Sequence, residues 1–209
     1  MLRQPQVRSR DESGVTLVEL LITLTVAATL LTLALPAFTA FRERSLFRGT
    51  TDQVLGLVQL ARFESVQRDR PVTVTVLTPS PVQWCVGANE GAVACNCFET
   101  NAASADFCEV ARFPALNGAS PLAPQAQAQQ LLRGVQVVGA PNFGGANRFT
   151  INPKLGTLDD PVSFGSLLLR SPTDALAYRS RIDISPLARA TACAPDSHSH
   201  TVGFTQCPP

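Results

Sequence analysis

Cysteine and histidine are the residue types in this chain best suited to holding a metal, and both occur at short spacing. Cys95 and Cys97 are separated by one residue, as are His198 and His200. Structural zinc sites favour cysteine pairs in C-x-x-C knuckles, and that spacing is absent. The even number of cysteines instead favours disulfides. We therefore expect no metal and no cofactor, and we regard every cysteine as a disulfide candidate: Cys85, Cys95, Cys97, Cys108, Cys193 and Cys207.

Catalytic chemistry is not indicated by the sequence. It contains no nucleophile elbow, P-loop or dinucleotide-binding fingerprint. A histidine-dependent triad would have to use His198 or His200, which lie in a serine-rich tail. We therefore expect no catalytic residues and a protein that is not an enzyme.

Glu19 is the charged residue that most needs an explanation. It stands at the head of an apolar run, and the stretch from Leu20 to Phe41 contains no Asp, Glu, Lys, Arg or His. An ionised side chain at the centre of a bilayer costs on the order of 3 kcal/mol, so such a residue is functional by default and needs a partner.

The apolar run itself has the length of a membrane-spanning helix. Residues 15–41 would extend roughly 40 Å as a helix, enough to cross a hydrocarbon core of about 30 Å. The run is longer than the apolar part of a signal peptide, and no clean A-x-A-like site follows it. Arginines precede it and none recurs until Arg42, which places the N-terminus in the cytoplasm. We expect Pro36 to kink or locally melt this helix, and the threonines within it to bond back to carbonyls four residues earlier.

The segment after Phe41 predicts a second, amphipathic half of the same helix, because apolar or small residues recur at three and four from Phe47 to Ser65. Pro71 ends it, and a series of short strands follows. The predicted fold class is therefore α+β, a long helix packed on an antiparallel sheet. Residues 87–111 form a long excursion stapled by disulfides, and residues 117–130 a loop or short helix. The strand candidates are residues 72–78, 82–86, 134–138, 148–152, 164–170 and 178–185.

The N-terminal motif resembles the processing site of type IV pilins and type II secretion pseudopilins. Gly14 is followed by VTLVELL, which puts Glu19 fifth after the glycine. The resemblance implies that a prepilin peptidase cuts after Gly14 and methylates Val15, and that Glu19 pairs with the N-terminal amine of a neighbouring subunit. Pro36 falls where pilins carry a helix-breaking proline. Val15 departs from the usual phenylalanine at the first mature position.

The remainder of the chain resembles the GspH/FimT branch of minor pilins and pseudopilins. The similar passages are LARFESVQRDRPVTV, RFTINPKLGTL and RSRIDISPLARATAC, the last as a final strand, while WCVGA and CNC are similar to FimT/FimU-like minor pilins with a cysteine-stapled loop. The resemblance implies a type IV pilin-like fold in four parts: a leader (1–14), a transmembrane and filament-core helix (15–41), its amphipathic continuation (42–70) and a periplasmic β-rich domain (71–209).

The implied function is that of a minor pilin or pseudopilin anchored by a single pass in the inner membrane, with the C-terminal domain in the periplasm. The implied partners are other pilins or pseudopilins, the prepilin peptidase and the inner-membrane assembly platform. Both a type IV pilus and a type II secretion pseudopilus fit, and the cysteine staples favour the pilus. All six cysteines follow the run and share one oxidising compartment. Within it we expect local pairing among the four cysteines from Cys85 to Cys108, and a separate Cys193–Cys207 bridge.

DNA binding is an alternative function, because some FimT-like pilins bind DNA through a C-terminal G-R-x-R-like motif. The matching stretch here, residues 188–191, keeps only Arg189. Arg179, Arg181 and Arg189, together with Arg148 and Arg170, could still form a patch if they share a face. Arg179 and Arg181 do alternate onto one face of a predicted strand. The competing interpretation is a charged strand edge that discourages aggregation.

Overall fold

The computed structural model describes residues 15–172, 178–196 and 202–208, with the backbone only at Leu33 and Pro36. The chain divides into two compact units, residues 1–41 and 42–209. In the described part of the first unit the chain is helical from Leu17, and helix α1 (Leu17–Arg68) continues into the second unit. The helix is continuous across Pro36, so local melting is not observed there, and a kink at that residue stays a prediction.

The threonines of the first unit satisfy their hydroxyl groups within the helix. The hydroxyls of Thr23, Thr25, Thr29 and Thr32 each donate to a carbonyl at 2.8–2.9 Å. The acceptor lies three residues earlier in each case, so the expected spacing of four was wrong. Because these bonds are internal to the helix, four polar side chains can stand in an apolar segment.

The described residues of the second unit form two antiparallel sheets. Their strands are β1 (Val72–Ser80), β2 (Gln83–Glu90), β3 (Ala111–Phe113), β4 (Gln136–Val137), β5 (Asn142–Phe143), β6 (Arg148–Ile151), β7 (Gly165–Arg170), β8 (Arg179–Ile184) and β9 (Ala190–Cys193). The four-stranded sheet has the order β3-β2-β1-β6, and the five-stranded sheet has the order β4-β7-β8-β9 with β5 paired to β7. A second helix, α2 (Pro124–Leu132), occupies part of the segment expected as a loop or short helix.

The structure confirms the α+β class, with one correction to the expected arrangement. The passage RSRIDISPLARATAC holds two strands, β8 and β9, and not one final strand. They are joined by a turn in which Ala188 takes a positive φ of 51°. A non-glycine residue in this region is uncommon, and glycine or asparagine would have been the usual sequence signal for such a turn.

The core lies where the second half of α1 packs on the sheets. The helix buries a stripe of residues three and four apart, from Phe47 to Ser65, as the sequence predicted. Phe47 stacks on Tyr178 with ring centroids 6.3 Å apart. The Thr51 and Ser180 hydroxyls lie 3.1 Å apart in a hydrogen bond, so the helix meets β8 through both apolar and polar contacts.

Candidate functional site

Glu19 lies in the first turn of α1 and is exposed. Its backbone N–H donates to the Thr16 hydroxyl at 3.2 Å, so Thr16 caps the helix N-terminus. A carboxylate here is favourably placed against the positive end of the helix dipole. The Glu19 side chain makes no ion pair with any residue that the structure describes. The carboxylate is therefore available to a group outside this chain.

The helix surface that follows Glu19 is apolar and uncovered. Leu17 is 77% exposed, and large hydrophobic residues from Leu20 to Phe41 are more than half exposed. Within the described residues, α1 is the one helix long and apolar enough to cross a membrane. An exposed apolar surface of this size requires lipid or other helices against it.

The structure describes one of the two residues of the predicted processing site. Gly14 lies outside the described residues, and Val15, the first described residue, is 69% exposed. The cleavage and methylation assigned to these two residues therefore stay predictions. His198 and His200 also lie outside the described residues.

Three disulfides staple the second unit. Cys85 pairs with Cys97 and Cys95 with Cys108, so these two bridges interleave, and Cys193 pairs with Cys207. This pairing keeps the two groups that the sequence suggested. The interleaved bridges lie against Gly87, where an added Cβ would stand 2.9 Å from the Cys97 Cβ. A side chain at position 87 would thus displace the staples.

The Arg112 side chain contacts the stapled excursion at two places. Its guanidinium donates to the Glu99 carbonyl at 2.8 Å and lies 4.6 Å from the centroid of the Phe107 ring. The excursion between β2 and β3 is therefore fixed to the sheet by covalent and polar contacts together, although it contains little regular structure.

The cluster of Asp183, Cys193 and Cys207 has the residue types of a metal site. The Asp183 Oδ2 lies 3.5 Å from the Cys193 sulfur. Both sulfurs belong to the same disulfide and are not thiolates. Because metals bind cysteine as the thiolate, this cluster does not supply a ligand set.

The predicted basic patch is neutralised at two of its three main positions. Arg179 and Arg181 do lie on the outward face of β8, but Arg179 Nη1 is 3.7 Å from Asp196 Oδ2 and Arg181 Nε is 2.9 Å from Asp183 Oδ1. Arg189 is exposed in the β8–β9 turn and makes no ion pair among the described residues.

The two additional arginines do not complete the patch. Arg170 faces Arg179 across the β7–β8 ladder and donates to the Gln136 amide oxygen at 2.7 Å. Arg148 lies in β6, which belongs to the other sheet. Of the three main arginines, Arg189 is thus the one that makes no ion pair among the described residues.

The structure also has a groove that was not predicted from the sequence. Gln59, Arg62, Phe63 and Val66 of α1 line a groove together with residues 188–191 of the β8–β9 hairpin. Its signal was present in the sequence, because Phe63 and Val66 are large apolar residues that fall outside the buried stripe of the amphipathic helix.

Two family models match the chain. A prokaryotic N-terminal methylation motif matches residues 9–35, and the model of type II transport protein GspH matches residues 50–188. Among solved structures, the type IV minor pilin FimU of Pseudomonas aeruginosa is similar, with 15% identity and a TM-score of 0.47 over 76% of this chain and 98% of that chain. No curated protein sequence matches the chain significantly.

Proposed function

The chain belongs to the GspH family of minor pilins and pseudopilins, and from this premise we propose that it joins or primes a type IV pilus. The observation that carries the proposal is the uncharged stretch of α1 from Leu20 to Phe41, whose large apolar side chains are uncovered and which Glu19 precedes within a methylation motif. It supports a place in a filament core, where apolar helices would cover one another and the one acid would find its partner.

In this proposal the chain is made as an inner-membrane precursor with its N-terminus in the cytoplasm. A prepilin peptidase cuts after Gly14 and methylates the new N-terminus at Val15. The domain from residue 42 onward stays in the periplasm, where its cysteines meet oxidising conditions. The methylation motif at residues 9–35 supports this assignment of Gly14 and Val15.

Glu19 then pairs with the N-terminal amine of a neighbouring subunit. A charge buried among apolar helices is tolerated when it is paired, and removing one partner leaves the other stranded. The absence of an intramolecular partner for the Glu19 side chain among the described residues supports an intermolecular one. Other pilins or pseudopilins and the inner-membrane assembly platform are the partners of this step.

A type II secretion pseudopilus is the second candidate system, because the matching family model is that of a type II transport protein. One experiment separates the two systems. Cells lacking the protein are complemented with the wild-type chain, and surface pili and secreted exoproteins are both measured. Loss of pili with normal secretion, restored by the chain, supports the pilus. Normal piliation with lost secretion contradicts it and assigns the chain to the secretion system.

DNA capture is the remaining alternative, and two contacts count against it. The Asp196 and Asp183 carboxylates neutralise Arg179 and Arg181, which were the two arginines aligned on one strand face. Of the three main arginines predicted to contact DNA, only Arg189 makes no ion pair among the described residues, whereas the phosphates of a duplex need several cations.

A further inference from the structure

The groove between the last turns of α1 and the β8–β9 hairpin has the composition of a binding surface. It encloses about 620 Å³ and is lined by apolar, polar and basic side chains. Phe63 and Val66 form its exposed apolar part, at 61% and 52% exposure. Arg62 and Arg189 supply its charge. Aromatic and arginine side chains are the residues enriched at the centres of protein interfaces.

The walls of this groove are fixed before any partner arrives. Arg62 Nε donates to the Gly156 carbonyl at 2.8 Å. The hairpin turn is closed by the Ser185 N–H, which donates to the Arg189 carbonyl at 3.0 Å, and the Leu158 N–H binds the turn by donating to the Pro186 carbonyl at 3.0 Å. A preformed surface loses little conformational entropy when a partner binds.

The charge of the groove is one-sided. No carboxylate is among its lining residues. Arg62 uses only Nε for the hydrogen bond to Gly156, which leaves its two terminal nitrogens as donors, and Arg189 makes no ion pair within the described residues. Two guanidinium groups beside an aromatic ring complement a carboxylate that is adjacent to an apolar side chain.

We infer that this groove docks an acidic, apolar segment of a neighbouring filament subunit, with its carboxylate on Arg62 and Arg189 and its apolar side chain on Phe63 and Val66. The inference rests on the proposed function, because it takes the neighbour from the filament. It adds a second contact between subunits, made by the second unit and separate from the proposed pairing of Glu19 with an N-terminal amine.

A protein segment fits this groove better than nucleic acid does. A duplex presents a continuous row of phosphates, one negative charge per about 1.7 Å of axis, and its binding grows with the number of cations that meet them. Here two cations border an exposed phenylalanine and valine, which offer nothing to a phosphate backbone. A carboxylate beside an aliphatic or aromatic side chain uses both parts of the surface.

Photocrosslinking in cells tests the inference on the full chain. Phe63 is replaced by the photoreactive residue p-benzoylphenylalanine, which keeps an aromatic ring in the groove. We expect a crosslink to another filament subunit, at a peptide containing Asp or Glu. Arg189→Glu should lower the crosslink yield about tenfold, because it replaces a charge-assisted contact with repulsion. Arg148→Glu, at an exposed arginine of β6 outside the groove, should leave the yield unchanged.

A charge reversal separates a lost contact from a misfolded variant. Changing the acid of the crosslinked neighbour to Arg should restore the crosslink to the Arg189→Glu chain. The amount of chain in sheared filaments is measured in every strain. A chain that enters filaments without a groove crosslink, with one insensitive to Arg189→Glu, or with one only to DNA overturns the inference and leaves the proposed function intact. A chain absent from filaments overturns both.

Discussion

At the residue scale Glu19 has one observed role and one proposed role, and the two can be separated. In the isolated chain it sits in the first helical turn, where Thr16 provides the cap and the dipole favours a carboxylate. Neither feature explains why an acid should head a surface that must enter an apolar environment. The pairing proposal does explain it, because an amine from another subunit compensates the buried charge.

We expect Glu19→Gln to insert and to be processed, yet to be missing from filaments. Glutamine keeps the size and polarity of the side chain but removes the charge that attracts the amine. The measurement is the ratio of processed chain in sheared filaments to that in membranes. Thr16→Ala is the matched control, because it removes the helix cap and leaves the carboxylate. Equal defects in the two variants would mean that the Glu19 side chain acts only by stabilising the helix N-terminus.

Glu90 joins the end of α1 to the end of β2 through two arginines. The hydrogen bond from Arg70 is the largest cause of a lowered pKa of the Glu90 carboxyl; partial desolvation opposes it, and the charge of Arg70 and contacts with Arg68 add to it. Arg68 Nη1 lies 3.6 Å from the carboxylate. Because the folded pKa lies below the unfolded value, the ionised pair stabilises the fold above that value, and this contribution is lost as the pH falls below 4.5 through the folded pKa.

Glu90→Gln should therefore destabilise the fold at neutral pH and have no effect in strong acid. The measurement is the urea midpoint of the full chain in detergent at a series of pH values, compared with wild type. Asp106→Asn, at an exposed acid in the stapled excursion, controls for the change in net charge. A midpoint difference for Glu90→Gln that stays constant from neutral pH to about pH 2 would show that the loss does not come from ionisation.

At the scale of elements, the close approach of β5 to β7 depends on one glycine. A Cβ added at Gly165 would stand 2.8 Å from the Asn142 carbonyl carbon and nearer still to its oxygen, so backbone would have to move. At Gly56, in the middle of α1, an added Cβ meets nothing within 4 Å. The same substitution should thus have opposite effects at the two sites.

We expect Gly165→Ala to destabilise the fold by about 2 kcal/mol or more, through overpacking. Gly56→Ala should stabilise it by about 1 kcal/mol, because alanine is the better helix former. Urea unfolding of the full chain in detergent measures both. A neutral Gly165→Ala would mean that β5 is free to move away from β7.

The elements that could be predicted from sequence were those with a strong period. The buried stripe of α1 and the alternation in β1 and β8 identified the long helix and several strands. The two-residue β5 and the three-residue β3 are too short to show any period. The β8–β9 turn was missed because Ala188, and not glycine, takes the positive φ there.

The candidate site residues also differ in how far the sequence could indicate them. Gly14, Val15 and Glu19 could be proposed from the sequence because they belong to one contiguous motif. The neutralisation of Arg179 was not predictable, because Asp196 reaches it only through the path of β9 and the residues that follow. Asp183 was visible in the sequence on the same face of β8 as Arg181, and strand alternation could have indicated that pair.

At the scale of the whole molecule, the ion pairs of the second unit bear on the alternative of DNA binding. Arg179 and Arg181, the two arginines aligned on one strand face, are both held by aspartates. Each phosphate contact changes the slope of log K against log salt by about 0.9. We therefore expect weak duplex binding with a slope of about −2 or shallower for the full chain in detergent.

Removing the two carboxylates that pair with Arg179 and Arg181 should strengthen duplex binding. Asp183→Asn with Asp196→Asn should raise duplex affinity and steepen the salt slope by about 2, because two guanidinium groups become available to phosphates. Asp106→Asn with Glu109→Gln changes the net charge equally in the stapled excursion and should leave the slope unchanged. If the wild-type chain already binds with a slope of −4 or steeper and loses it in Arg179→Ala, the ion pairs open to DNA and the capture function is favoured after all. If only the double aspartate substitution steepens the slope, the ion pairs to Asp183 and Asp196 are what limits duplex binding by the wild-type chain.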